Sequence, residues 1–211
     1  MALVELIQQG QYEAAFSLLE RNPELADERD QTGLPATLLA LYHGQSDLAS
    51  AILDRKEKLS IFECAAFGKG SELKSALNDA DVNDFAADGF QAIHLAAHFG
   101  RSEELRSLIK AKADLNTLSN NDLGVAPLHA ALANGHESVA RELVFEGADV
   151  NMPAASLWTP LHYAAYLGSK PLILFFLEQG AKPVPGPDGK TPADLAAEKG
   201  HEGLMQLLGS A

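Results

Sequence analysis

Apolar residues along the chain fall in short runs of helical length, arranged in pairs with a glycine between the two members. The run Tyr12–Leu19, for example, alternates apolar and polar residues at helical spacing and follows Gly10. The separating glycines are Gly10, Gly44, Gly68, Gly100, Gly135, Gly168 and Gly200. Because glycine readily adopts the left-handed turn that ends a helix, the pattern predicts pairs of short helices joined by glycine turns.

One phrase recurs along the chain at a period of about 33 residues. It reads Thr-Pro-Leu-His-Tyr-Ala-Ala at residues 159–165, with weaker copies at 91–97, 126–132 and 191–197. A second phrase, Gly-Ala-Asp-Val-Asn at residues 147–151, closes the helical run that follows one copy. Self-similarity at such a period predicts a solenoid of stacked units.

Both phrases resemble those of ankyrin repeats. The resemblance covers essentially the whole chain and implies an all-α ankyrin-repeat solenoid of stacked helix-turn-helix units with short β-hairpin fingers. We therefore expect a single ankyrin-repeat domain over residues 1–211, in which the first two of seven units form an atypical N-terminal cap. The expected bounds of the units are about 1–29, 30–54, 55–83, 84–116, 117–151, 152–183 and 184–211.

The resemblance also implies structural roles for the repeated residues. Thr159 is expected to cap a helix that Pro160 opens, and His162 is expected to bond locally and hold neighbouring fingers. The alanine pair allows the next unit to approach closely. These roles account for His94, His129 and His162 without any chemistry.

Two intervals depart from the family's spacing. The step from Leu38 to Phe62 is only 24 residues, which removes the finger expected near residues 54–60 and predicts a tight turn there. The segment Thr117–Asp122 is two residues longer than expected, which predicts a finger that projects further. Both departures are expected to make the binding edge irregular.

The charge of the chain favours some partners over others. Its 29 acidic and 16 basic residues give a net charge of −13, spread along the whole sequence. This excess of acid argues against nucleic acid and anionic membranes as partners, and favours solubility and a basic protein partner. The acidic start and the lack of a long apolar run lead us to expect a cytoplasmic protein, monomeric when alone.

Few residues are candidates for metal binding or catalysis. His94 and His98 have the i, i+4 spacing that chelates a metal on one helix face, which keeps a metal-binding or enzymatic function open as a remote alternative. Cys64 occupies a small-residue position of a helix, so we interpret it as a buried residue rather than a nucleophile. We expect no enzyme activity and no cofactor.

The ankyrin resemblance places partner contacts on the fingers and on the residues before each repeat glycine, which together line the concave face. Several large aromatic residues occupy these positions, and aromatics are enriched at interfaces. The expected contact residues are Leu34, Tyr42, His43, Phe67, Phe90, His98, Phe99, Val125, Asn134, Trp158, Tyr166 and Leu167.

The sequence thus predicts a non-catalytic protein–protein interaction module that binds a protein partner through its concave face. The chain also resembles small bacterial ankyrin proteins, and this resemblance implies, by analogy, a role as an inhibitor or protective partner of an enzyme, with a basic enzyme as the expected target. The alternative is a scaffold that tethers two proteins, which requires a second contact surface.

Overall fold

The computed structural model describes residues 2–209, and within them the helices follow one another as helix-turn-helix pairs. The α-helices are α1 (Leu3–Gln8), α2 (Tyr12–Arg21), α3 (Ala36–Tyr42), α4 (Ser46–Leu53), α5 (Ile61–Phe67), α6 (Gly70–Ala76), α7 (Ala92–His98), α8 (Ser102–Lys110), α9 (Pro127–Ala133), α10 (Glu137–Phe145), α11 (Pro160–Tyr166), α12 (Lys170–Glu178), α13 (Pro192–Glu198) and α14 (Met205–Gly209). Short 3₁₀ helices occupy Pro23–Asp27 and Glu202–Leu204. The predicted all-α solenoid is confirmed.

The first helix of each pair is the buried one. Along α7, every residue from Ala92 to Ala97 is buried, whereas α8 keeps one buried stripe that includes Leu105 and Leu108. Alanines such as Ala96 and Ala131 are fully buried between successive first helices. Their small side chains let the helices of neighbouring pairs approach, so that one continuous core runs through the stack.

Five loops turn back on themselves before a first helix, and we call them fingers 2, 4, 5, 6 and 7 after the pair they precede. They span residues 30–34, 86–90, 119–125, 154–158 and 186–190, and each is closed by a backbone hydrogen bond from its first residue to its last. Within residues 2–209 no finger forms a β-strand, although single antiparallel bridges join Arg29 to Pro35 and Phe85 to Gln91. The fingers are therefore tight turns, and the backbone hydrogen bonds between their two sides are too few to form β-strands.

Three asparagine side chains tie units 3 to 6 together. Asn83, Asn116 and Asn151 each accept a hydrogen bond at Oδ1 from a backbone amide one unit later. The donors are Asp114 N at 2.8 Å, Asp149 N at 2.7 Å and Lys182 N at 2.8 Å. This ladder fixes the register of the stack, because sliding one pair along the next would leave each amide unpaired.

A second set of contacts joins the units at the glycine turns. At two of the turns, the residue after the glycine reaches back to the first helix of the preceding unit. Arg101 Nε donates to Ala66 O at 3.0 Å, and His136 Nε2 bonds to His98 O at the same distance. These contacts satisfy carbonyls that the end of a helix leaves unpaired.

The segment 54–60 connects α4 directly to α5 without a finger, as its short length predicts. Lys56, whose side chain is 3% exposed, lies here between Asp27 at 2.9 Å and Glu63 at 3.2 Å. Glu63 also accepts hydrogen bonds from Thr37 Oγ1 at 2.6 Å and from the Ser60 amide at 3.0 Å. A buried ionic network thus fills the junction where other units have a finger.

Although unit 3 has no finger, the row of fingers is continuous, because fingers 2 and 4 lie against each other. A β-carbon built on Gly33 of finger 2 would lie 3.6 Å from Ala87 Cβ of finger 4. Tyr42 Oη donates to Asp88 Oδ2 at 2.6 Å across the same junction. The expectation of an irregular edge at this point is therefore wrong, because finger 4 closes against finger 2.

The extended finger 5 is held against finger 4. Asn120 N donates to Gly89 O at 2.7 Å, and Asn121 Nδ2 donates to Asp88 O at 2.8 Å. Ser119 is buried and bonds to Asn121 Oδ1 and to the Val125 amide. The two additional residues of the segment Thr117–Asp122 thus make contacts with the previous finger, and the predicted further projection of finger 5 stays a prediction.

We expect Gly100→Ala to cost more stability than Gly135→Ala. Both glycines have positive φ, near +70°, so each alanine should cost about 1 kcal/mol from backbone strain. A β-carbon on Gly100 would also lie 2.7 Å from His136 Nδ1, whereas one on Gly135 meets nothing within 4 Å. Displacing His136 breaks its bond to His98 O and adds about 1 kcal/mol. Denaturant unfolding measures both variants, and the extra cost should vanish when His136 is replaced by alanine.

We expect Lys56→Met to lower the free energy of unfolding by about 3 kcal/mol, because it leaves the buried Glu63 carboxylate without its cation. Lys58→Met is the matched control, since the Lys58–Asp79 pair at 3.1 Å is exposed on both sides and should contribute little. Equal losses in thermal or denaturant unfolding would contradict a structural role for the buried network.

Candidate partner-binding surface

The predicted contact residues lie on the fingers and at the ends of the first helices, a surface that we call the finger face. They differ in exposure. Tyr42, His43, Asn134, Tyr166 and Leu167 are exposed, whereas Phe67, Phe90, His98, Phe99, Val125 and Trp158 are half-buried. Leu34 needs correction: it is 7% exposed and packs into the core beneath finger 2, so it does not present a side chain to a partner.

The aromatic rings of this surface form two groups rather than one stripe. The first group is Tyr42, His98 and Phe99. The Tyr42 ring stacks on Phe99 at 6.1 Å between centroids, and His98 meets Phe99 edge to face at 4.6 Å. Asn134 Nδ2 donates to His98 Nδ1 at 2.9 Å. The group therefore combines residues of two units and is hydrogen-bonded to Asn134 of a third.

Tyr42 is fixed as a hydrogen-bond donor. Desolvation of its hydroxyl, together with the adjacent Asp88 carboxylate, raises the pKa of Tyr42 well above its ordinary value. The phenol therefore stays protonated and continues to donate to Asp88. Its exposed ring edge remains on the finger face.

The second group is Trp158, Tyr163 and Tyr166, with His162 beneath. The Trp158 ring stacks on His162 at 6.1 Å and meets Tyr163 edge to face at 5.4 Å. Its centroid lies 5.8 Å from that of Tyr166, over which Lys199 Nζ sits at 4.2 Å. Much of the Trp158 surface is thus buried in contacts within the molecule. The side chains that this region exposes to solvent are mainly Tyr166 and the adjacent Leu167, at 42% and 40% exposure.

Phe67 and Phe90 contribute less to this surface than expected. Both pack against the core, and Phe90 lies 5.9 Å from the buried His94 ring. Large rings in a groove between stacked helices gain more from burial than from standing in solvent, which explains their half-buried positions.

Sequence reasoning missed the two leucines at the tips of fingers 5 and 6. Leu123 is 59% exposed and Leu157 is 53% exposed. One signal was available, because Leu157 stands where fingers 2, 4, 5 and 7 have Gly33, Gly89, Gly124 and Gly189. An apolar residue in a turn position that favours glycine is a departure visible in the sequence.

The histidines of the repeated phrase have a structural role. His94, His129 and His162 are fully buried, and each accepts at Nδ1 a hydrogen bond from the backbone amide three residues earlier. Nε2 of His94 bonds to Thr117 O and Val125 O, and that of His129 bonds to Met152 O. Each of these two rings therefore caps its own helix and holds the next finger.

His162 and Thr159 depart from this scheme. Thr159 Oγ1 bonds to His162 Nδ1 at 2.9 Å instead of capping a backbone amide, so the expected threonine cap is wrong at this position. His162 Nε2 has no hydrogen-bond partner among the described atoms. In the next unit Asp194 takes the histidine position and accepts from both the amide and the hydroxyl of Thr191.

The residues considered for metal binding or catalysis are buried or hydrogen-bonded within the fold. Both ring nitrogens of His94 are hydrogen-bonded, which leaves none for the metal that the His94/His98 spacing suggested. Residues 2–209 contain no cluster of three or more histidine, cysteine or acidic side chains with metal-binding geometry. Cys64 is fully buried, and burial together with Glu63 raises the pKa of its thiol to about 12. Such a thiol is a poor nucleophile at neutral pH.

Tyr42 and Tyr166 of the aromatic groups are exposed. One of the larger clefts of the molecule, about 440 Å³, lies instead beside residues 10–14, and another of about 250 Å³ lies beside the short 54–60 connection. Small ligands bind in enclosed apolar pockets, whereas open aromatic surfaces suit macromolecules.

Comparison with known proteins identifies the family. A profile described as ankyrin repeats in three copies matches residues 61–154, and a single ankyrin-repeat profile matches residues 156–184. The chain belongs to the ankyrin-repeat proteins, whose repeats indicate a protein–protein interaction module.

Relatives with different functions share the repeats. The chain is 29% identical over 170 residues to the Drosophila melanogaster tyrosine-protein kinase Shark, covering 79% of this chain and 17% of the kinase. It is 33% identical over 143 residues to a probable 26S proteasome regulatory subunit of Saccharomyces cerevisiae, covering 65% and 62% respectively. The ankyrin repeat protein YahD of Escherichia coli is 36% identical over 111 residues, covering 49% and 54%. The chain thus spans less than two thirds of each relative.

No helix within residues 2–209 combines the length and the apolar character needed to cross a membrane.

The buried histidines predict a loss of stability in mild acid. Burial lowers the pKa of His94 and His129 from 6.5 to about 4. Between these values the unfolded chain binds protons that the folded chain does not, so the free energy of unfolding falls as the pH drops from 6.5 to 4. The slope approaches about 1.4 kcal/mol per pH unit for each histidine. In His129→Gln, denaturant unfolding across this window should show a shallower slope; an unchanged slope would contradict the assignment.

Proposed function

We propose that this protein recognises another protein through the finger face, without catalysis. The observation that carries the proposal is the exposed part of the second aromatic group. Tyr166 and Leu167 lie next to each other at the end of α11, each about two fifths exposed, with Trp158 beside them. Tyrosine and tryptophan dominate interface hot spots because they offer large contact areas at a low entropic cost.

The first aromatic group extends the same surface. Tyr42 and His43 are exposed at the end of α3, and Asn134 is exposed at the end of α9. Their partners within the molecule hold them in place before any binding, and such preorganisation lowers the entropic cost of association. The half-buried Phe67, Phe90, His98, Phe99 and Val125 complete the proposed contact set.

Within this function, we favour an inhibitor or a protective partner of a basic enzyme. Net charge −13 supports a basic target, since complementary charge speeds association and selects partners. The exposed leucines at the tips of fingers 5 and 6 suit insertion into an apolar recess of such a target. The yeast relative is named as a regulatory subunit, which is compatible with a role exerted through binding.

A second candidate function is the tethering of two proteins. It is favoured by Phe145, which is 71% exposed at the end of the outer helix α10. Its ring meets Phe175 of α12 at 5.2 Å, and Leu174 beside Phe175 is 39% exposed. These residues provide an apolar area on the side opposite the fingers.

Affinity capture with paired variants tests the two functions. Wild-type protein, Tyr166→Ala and Phe145→Ala are each immobilised and exposed to lysate of the source cells, and the retained proteins are quantified. Because Tyr166 supplies an exposed ring to the finger face, its loss should reduce retention of the partner at least tenfold, while Phe145→Ala retains it fully.

The other outcomes of the capture experiment distinguish the two proposed functions. A partner retained equally by Tyr166→Ala and wild type contradicts the finger-face proposal. A second protein lost only with Phe145→Ala supports tethering. Circular dichroism of both variants confirms that the helices are intact.

A further inference from the structure

The backbone of finger 6 is strained in a way that its neighbours are not. Leu157 has φ of +61°, in the left-handed region. In the equivalent position of fingers 2, 4, 5 and 7 the residue is glycine, again with positive φ. A side chain with a β-carbon is disfavoured in this region by roughly tenfold in a conformational equilibrium, and glycine is not.

Burial of the leucine does not compensate for this strain. The Leu157 side chain is 53% exposed, and the hydrogen bonds that close finger 6 are backbone bonds that glycine would also make. Strained, exposed residues of this kind are found where a side chain serves a contact rather than the fold.

The neighbouring finger presents a second exposed leucine. Ala155 N of finger 6 donates to Gly124 O of finger 5 at 2.8 Å, which places the two tips side by side. Leu123, immediately before Gly124, is 59% exposed. Two leucines, each more than half exposed, therefore lie on adjacent fingers.

The charged side chains on and beside fingers 4, 5 and 6 are of one sign, and Lys190 of the adjoining finger 7 is paired with Asp188 and Glu198. Residues 84–90, 117–125 and 152–158 contain Asp84, Asp88 and Asp122 but no lysine or arginine. Asp122, next to Leu123, is exposed and takes part in none of the ion pairs among residues 2–209. Exposed leucines bordered by carboxylates are complementary to apolar side chains flanked by lysine or arginine.

We propose that Leu157 and Leu123 are specificity residues that bind a basic segment of the partner protein, whose apolar side chains lie across the two leucines and whose cations face Asp122 and Asp88. The inference rests on the proposed function, since it names the partner chemistry and adds two contacts to the finger face. It explains why finger 6 keeps a leucine where glycine fits the backbone better.

The first test concerns the free protein. In Leu157→Gly the midpoint of thermal unfolding should be at least as high as in wild type, because relief of strain offsets the lost half-burial. Lys112 is a matched control with φ of +72° in a turn away from the fingers, and Lys112→Gly should behave in the same way. A midpoint several degrees lower in Leu157→Gly than in Lys112→Gly would show that the leucine serves the fold and would overturn the proposal.

The second test uses a phage-displayed library of random 20-residue peptides, selected on the immobilised wild-type protein at low salt. The selected peptides should carry apolar residues flanked by lysine or arginine. Their affinity should fall at least tenfold for Leu157→Gly and for Leu123→Ser, and should be unchanged for Lys112→Gly. For Asp122→Asn, both the affinity and its dependence on salt should decrease.

Selected peptides without basic residues, peptides that bind Leu157→Gly as tightly as wild type, or a failure to select any peptide would each overturn the inference. None of these outcomes touches the capture experiment with Tyr166→Ala, which tests protein recognition by the finger face independently. Failure of this inference can therefore be distinguished from failure of the proposed function.

Discussion

The structure depends on hydrogen bonds that each helix pair makes to the next. A pair of helices of five to ten residues buries too little apolar surface to be stable alone, so every unit requires its neighbours. Histidine Nε2 atoms hold the following finger, asparagine Oδ1 atoms accept from the following unit, and His136 caps the preceding helix. These polar contacts set the register in which the alanines and leucines of successive first helices can pack.

The same constraint explains how the molecule tolerates a missing finger. Where the 54–60 connection removes it, contacts across the junction come from other groups. Lys56, Glu63 and Thr37 form a buried network on one side, while Tyr42 bonds to Asp88 on the finger face. The stack therefore remains continuous, and the finger face gains an aromatic group that joins α3 to α7.

Much of the fold was predictable because the repeated residues act locally. Spacing of glycines and of the Thr-Pro-Leu-His phrase predicts where helices begin and end, since caps and turns depend on a few adjacent residues. The division of the aromatic residues into two groups was not predictable. Tyr42 meets Phe99 only because the missing finger brings their units together, and Trp158 is half-buried only because Tyr163 and His162 lie beneath it. The Tyr42–Phe99 contact joins two units and the Trp158 contacts depend on side-chain packing within one unit, and neither is encoded in the repeated phrases.

The central claim is that the finger face, rather than the outer helices, meets the partner. Hydrogen–deuterium exchange of the complex with the captured partner tests it most directly. Binding should slow amide exchange in residues 84–90, 117–125 and 152–158 and at the C-terminal ends of α3 and α11, with little change in α8, α10 and α12. Protection confined to α8, α10 and α12 would contradict the account.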